Sequence, residues 1–265
     1  MMTTYYLDRG DGVRLAFQHR PGAGPILVFL PGYMSGMGGA KAVALDAWAA
    51  RRGRAYLRFD YSGCGASGGR FADGTISRWT ADAVALIDAV ASGSAASGAS
   101  ASRADEQIIL AGSSMGAWIA LRVALARPAQ VAAVVTIAGA PDFTDWGLDL
   151  TEVDRAALAR DGCVERPSLY GAPYRYHAGL IADGAACRIL DGPIAIGCPV
   201  RLLHGQADPD VPWRLSLDVA AALHSSDVQV ILVKDGDHRL SRPVDLDLLC
   251  AMLDALPSLA LVTGS

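Results

Sequence analysis

The sequence predicts an α/β domain with a mostly parallel sheet and helices on both faces. Three observations carry this. Short apolar runs alternate with segments of helical periodicity along almost the whole chain. The clearest run, ILVFL at 26–30, is continuous rather than alternating, as in a strand buried on both sides. A helical segment separates most successive runs, and that β-α-β order produces parallel pairing with crossovers over the sheet.

The elements follow in order. Residues 13–18 alternate and read as a strand, and 26–30 form the continuous one. Residues 37–52 carry alanines and leucines at helical spacing. A strand follows at 55–59 and a helix at 75–90. ASGSAASGASASRAD (91–105) is small and polar, and reads as a flexible surface loop because the alternation resumes at once. Next come a strand at 107–111, a helix at 114–126 stopped by Pro128, and a strand at 131–137. After an interruption, a strand at 200–203, a helix at 213–223, a strand at 228–233 and a helix at 244–256 complete the series. There is no internal repeat.

The interruption, 141–196, holds one helical piece (151–160) and the aromatic, proline-bearing stretch RPSLYGAPYRYHAG. Ligands bind at the carboxyl edge of open α/β sheets, so an insertion there predicts a lid. The expectation is a single domain, 1–265, with 141–196 as its lid.

Composition narrows the function classes. The chain has 265 residues, 52% hydrophobic and 19% charged, which suits a sizeable core rather than disorder. A net charge of −4 with no Lys/Arg cluster argues against nucleic acid and against an anionic membrane surface. Five scattered cysteines with no C-x-x-C read as reduced thiols. MMTTYYLDRGDG reads as neither a signal peptide nor a transit segment, and no apolar run is long enough to span a bilayer, so a cytoplasmic setting is expected. There is no H-E-x-x-H and no Cys/His pair at ligand spacing, so neither a metal nor a cofactor is expected.

Gly112-Ser113-Ser114-Met115-Gly116 fits G-x-S-x-G between a strand and a helix. A sharp turn there lifts a serine hydroxyl above the sheet, and the flanking glycines allow close chain approach. Ser114 is the candidate nucleophile and Met115 N–H a candidate oxyanion donor; Ser113 lies one place too early. A serine needs a base, and in this arrangement an acid and then a histidine follow in chain order. Asp208 lies beyond the strand at 200–203 and is the candidate acid, with Asp210 the alternative. His238, beyond the final strand, is the candidate base. The loop Leu30-Pro31-Gly32-Tyr33-Met34 is expected to supply the second oxyanion N–H, from Tyr33 first and Met34 second. His204 is expected to pack or hydrogen-bond beside the acid loop, and His177 to lie in the lid. His19 and His224 carry no assigned chemistry. Cys64, in the glycine-rich loop 59–67, reads as a packing residue.

The combination LPGYMSGM, RFDYSGCGAS, AGSSMGAW, RLLHGQADPDVPW and DGDHRLS resembles the α/β-hydrolase family over nearly the whole chain, and within it the palmitoyl-protein thioesterases. The resemblance implies the α/β-hydrolase fold and cleavage of S-palmitoyl thioesters and of some acyl glucuronides without a cofactor. It carries Ser114, Asp208 and His238 over as nucleophile, acid and base. The family often has His-Gly in the oxyanion loop, where this chain has Pro31-Gly32. Extended to location, the resemblance implies a mitochondrial matrix, whereas the Ala/Gly-rich composition points to a bacterial cytoplasm.

The expected partner is thus a small-molecule ester or thioester, or an acylated protein. Tyr170, Tyr174, Tyr176 and Leu180, with Trp118 and Trp146, either line an acyl pocket or pack the lid to the body. A short-chain carboxylesterase on the same residues, and a non-catalytic binding module of the same fold, remain open. Oligomeric state is not legible.

Overall fold

The computed structural model describes residues 2–93, 107–169 and 171–256. Most of the loop expected at 91–105, and Tyr170, lie outside these.

The elements are β1 (Tyr5–Asp8), β2 (Arg14–Arg20), β3 (Ala23–Leu30), α1 (Ala40–Arg52), β4 (Arg54–Phe59), α2 (Ile76–Ala91), β5 (Ile108–Ser113), α3 (Met115–Ala126) and β6 (Val131–Ile137). Then come α4 (Phe143–Trp146), α5 (Glu152–Asp161), β7 (Cys163–Arg166), β8 (Tyr174–His177), α6 (Ala178–Ala186), β9 (Val200–Gly205), α7 (Leu215–Ala222), β10 (Val228–Val233) and α8 (Pro243–Asp254).

Eight strands form one sheet in the order β1-β2-β4-β3-β5-β6-β9-β10. The first two are antiparallel to their neighbours, and every pair from β4 to β10 is parallel. The central strands are mostly apolar because both faces are covered. One face packs under α2, α3 and α7 with Trp79 and Trp118 in its core; the other packs under α1 and α8 with Trp48. The fold is therefore the α/β-hydrolase sheet that the sequence predicts.

The differences are local. β1 was not expected, being four residues with two polar neighbours. α1 starts at Ala40 rather than at 37, because the 37–39 turn is held by Asp60, whose carboxylate accepts the Met37 N–H at 2.7 Å. α7 starts two residues later than expected. Thr75 fixes the start of α2 by accepting the Arg78 N–H at 3.1 Å, the N-cap role for which threonine is suited.

Residues 141–196 hold more structure than one helix. RPSLYGAPYRYHAG contributes to a two-stranded antiparallel hairpin, β7–β8, invisible to periodicity because each strand has four residues. Both ends of the segment are fastened by one group. The buried Asp142 carboxylate accepts the N–H groups of Ile189 at 3.1 Å and Leu190 at 2.9 Å. Among the described residues no helix is long and apolar enough to cross a membrane.

Candidate active site

β5 runs straight into α3 with one residue between them. That residue, Ser114, has φ 55° and ψ −121°, a conformation an L side chain rarely adopts. The surroundings hold it there: its N–H donates to the Ile137 carbonyl at 2.9 Å, and its carbonyl accepts Ala117 N–H at 2.9 Å and Ala140 N–H at 3.2 Å. The two glycines are sterically required. A Cβ on Gly112 would lie 2.3 Å from the Gly116 carbonyl oxygen; one on Gly116 would lie 2.1 Å from that of Leu30.

The other two residues arrive on neighbouring parallel strands. β9 ends at Gly205 and β10 at Val233, and their loops are stitched together by Gln206 N–H to the Val233 carbonyl (2.8 Å) and Ala207 N–H to the Gly236 carbonyl (3.0 Å). Asp208 and His238 thereby meet above the sheet. His238 Nε2 lies 3.1 Å from Ser114 Oγ, and His238 Nδ1 lies 2.8 Å from Asp208 Oδ2. The Asp208 side chain is fully shielded from solvent and that of His238 is 14% exposed.

Asp208 Oδ1 accepts backbone N–H groups from Asp210 at 2.8 Å and Val211 at 2.9 Å, and Oδ2 also faces His204 Nε2 at 3.2 Å. Burial disfavours its charge, but the hydrogen bonds from His204 and His238, the His238 charge and the Val211 N–H outweigh it and hold the carboxyl below the usual carboxylate range. An acid stabilised in its charged form beside an imidazole can orient the ring and support an imidazolium. Asp210, the alternative acid, is exposed and touches Asp208 only through its backbone.

Ser114 and His238 open onto a cavity of about 690 Å³. Gly32, Tyr33, Met34 and Met115 line it beside the serine. The N–H groups of Tyr33, Met34 and Met115 meet no acceptor among the described residues, and Met115 heads a helix whose first N–H groups have no intrahelical partner. Residues 141–196 contribute Phe143, Trp146, Tyr174 and Tyr176 to the wall. Trp118 and Leu180, also expected near the pocket, do not line it: both are buried in the core, Trp118 edge-on against Phe143. Trp118 spends its indole N–H on the Cys187 carbonyl.

Tyr33 does two things. Its ring stacks on Tyr176 at 5.1 Å and 10° and lies within 6.3 Å of Phe71, Trp79, Phe143 and Tyr174, while its hydroxyl donates to the Arg175 carbonyl. The aromatics of 141–196 thus both line the cavity and pack onto the body. Cys64 is buried beneath, its thiol pushed up to about 12 by burial and then by the charges of Asp60 and Asp82, as a packing residue should be. His177 packs edge-on against Phe71 and does not line the cavity.

Asp208, Asp210 and His238 each bring a ligand-type atom within 4.8 Å of the others, the one such group among the described residues. Asp208 is already committed to four N–H contacts there. The polar wall formed by Ser35, Lys41, Arg239 and Ser241 was not foreseen. Lys41 sits on the first turn of α1, and its ammonium donates to the Arg239 carbonyl. Burial, then the Arg239 charge, bring it down to about 8.

Comparison with known proteins shows the family. The family "Serine aminopeptidase, S33" matches residues 23–160. The mouse mitochondrial palmitoyl-protein thioesterase ABHD10 is 38% identical over 259 residues, covering 95% of this chain and 81% of that protein. A putative hydrolase from Agrobacterium vitis superposes with a TM-score of 0.88 at 41% identity, covering 96% of this chain and 98% of that one. The structure of mouse alpha/beta hydrolase domain-containing protein 10 gives 0.83 at 38% identity, covering 95% and 97%.

Proposed function

The chain belongs to the serine aminopeptidase S33 family of α/β hydrolases and is a hydrolase; from that premise we propose that it cleaves carboxylic thioesters or esters through an acyl-serine intermediate, with long-chain S-acyl groups as substrates. The observation that carries the reading is the unbroken hydrogen-bond line from Ser114 Oγ through His238 to Asp208, at 3.1 and 2.8 Å, opening onto the cavity.

His238 Nε2 takes the Ser114 proton as Oγ attacks the carbonyl carbon. Asp208 holds the ring through Nδ1–H and stabilises the imidazolium without taking its proton. The carbonyl oxygen becomes an oxyanion, held by the N–H groups of Met115 and Tyr33, donors typically worth about 3 kcal/mol each at such sites. Collapse breaks the bond to sulfur or oxygen, and His238 returns the proton to the leaving thiol or alcohol. Water then enters: His238 takes its proton, hydroxide attacks the acyl carbon, and Ser114 leaves protonated with release of the carboxylic acid.

Residues 141–196 act as the lid of this site, with Tyr174, Tyr176 and Trp146 facing the acyl chain. The thioester assignment leans on the likeness to a palmitoyl-protein thioesterase across 95% of the chain. The test is hydrolysis of matched thioester and oxyester series, from acetyl to palmitoyl, by wild type and Ser114→Ala. Serine-dependent turnover that rises with thioester chain length is expected. Turnover of short oxyesters alone makes the protein a carboxylesterase, and full activity in Ser114→Ala ends the assignment. A fluorophosphonate that fails to label Ser114 would leave a non-catalytic binding module.

A further inference from the structure

Asp208 Oδ2 has two imidazoles on it. Besides His238 Nδ1 at 2.8 Å, it faces His204 Nε2 at 3.2 Å. His204 lies on β9 with its side chain wholly buried. The same Nε2 is 3.2 Å from the Val211 carbonyl oxygen. A carbonyl and an ionised carboxylate can only accept, so Nε2 carries the hydrogen. On the other side of the ring, Nδ1 sits 2.7 Å from Ser216 Oγ on α7, so in the neutral ring the Ser216 hydroxyl donates to Nδ1.

We propose that His204 is a positioning residue for hydrolysis, its Nε2–H holding Asp208 Oδ2 in the orientation that His238 needs. The inference rests on the Ser114–His238–Asp208 reading above. The two backbone N–H groups on Oδ1 fix one end of the carboxylate. Oδ2 would otherwise depend on His238 alone, the ring that gains and loses a proton during the cycle. His204 supplies a donor that stays in place through the cycle. It also lowers the proton affinity of Oδ2, so the shared proton remains on His238 Nδ1. Through the Val211 carbonyl the same N–H anchors the turn that delivers the Oδ1 donors, so one buried ring steadies both carboxylate oxygens. This is the outer-shell logic by which a ligand's partner orients a reacting group without touching substrate.

Two substitutions separate positioning from packing. In His204→Gln the amide nitrogen reaches the place of Nε2 and keeps the donor to Asp208. In His204→Asn the amide reaches only the place of Nδ1, keeping Ser216 and losing Asp208. Both are measured for kcat, KM, thermal midpoint and the rate of Ser114 labelling by a fluorophosphonate, with Ser114→Ala alongside. His204→Gln should keep kcat within about threefold. His204→Asn should lower kcat and the labelling rate about ten- to hundred-fold, the usual cost of a lost hydrogen bond to a charged group, with KM nearly unchanged. Equal losses in both variants that track their thermal midpoints would reduce His204 to a packing residue and overturn the proposal, as would wild-type kcat in His204→Asn. Turnover surviving in Ser114→Ala is a separate result: it removes the active-site reading itself, whatever the His204 variants do.

Discussion

Replacing Gly116 with alanine puts a methyl group where two backbone carbonyls already stand. Its carbon would lie 2.1 Å from the Leu30 oxygen and 2.5 Å from the Pro31 oxygen, both main-chain atoms that cannot swing aside. Contacts below 3.0 Å are essentially never found for real Cβ atoms. Strand β3 and helix α3 must therefore separate locally by about an ångström. Overpacking of this kind costs about 1–3 kcal/mol, a fall in Tm of a few to about ten degrees for a chain this long. The functional cost is larger, because the displaced carbonyls begin the turn that carries Gly32, Tyr33 and Met34 past Ser114. A misplacement of about 1 Å at a reacting centre costs about a hundredfold in turnover. The assay is kcat/KM on a long-chain thioester together with thermal unfolding. Gly38→Ala serves as the control, since nothing lies within 4 Å of a Cβ there. Gly116→Ala that matches Gly38→Ala in both measurements would refute the reasoning that close packing of β3 on α3 shapes the site.

Asp208→Asn should lower kcat about 10³- to 10⁴-fold in stopped thioester assays, because the amide no longer fixes the His238 tautomer; a loss below tenfold would contradict the orienting role. The same carboxyl lies below its ordinary range in the folded protein, so it stabilises the fold fully above about pH 4 and loses that contribution as pH falls lower. The stability gap between wild type and Asp208→Asn should therefore shrink on acidification, as read from urea midpoints. Lys41 has the same sign in a higher window: burial and Arg239 bring it to about 8, so between that pH and about 10 the unfolded chain binds more protons and the Lys41 contribution makes stability rise with pH. Lys41→Met should remove that part of the slope, and an unchanged slope would show that the ammonium is not desolvated.

Much of the site was legible because each of its residues sits in a locally constrained place. Ser114 is announced by glycines two positions either side, whose absence of side chains the packing of β5, α3 and β3 demands. Asp208 and His238 each follow a strand rich in β-branched and aliphatic residues, and parallel topology carries both strand ends to the same edge. What stayed hidden depends on contacts between distant segments. The β7–β8 hairpin has strands too short to show a period, and Asp142 fastens 141–196 by accepting N–H groups 47 and 48 residues away. Lys41 lines the cavity through a contact with the Arg239 carbonyl, 198 residues away in the chain. The buried fate of Trp118 and Leu180 follows from which helix faces meet the core, and position in the sequence gave no measure of that.

Tyr33 joins two histories in one residue. Its backbone belongs to the loop beside Ser114, while its ring is gripped by Tyr176 and four other aromatics, two of them from the body and three from 141–196 in all. That segment is not a free cassette in this chain, since a hairpin lacking the stacking tyrosine would release the loop beside Ser114. Substitutions at the cavity's polar wall, around Lys41 and Ser241, should leave the aromatic grip intact, whereas a recombinant of this chain carrying a foreign hairpin should lose turnover until position 33 changes with it.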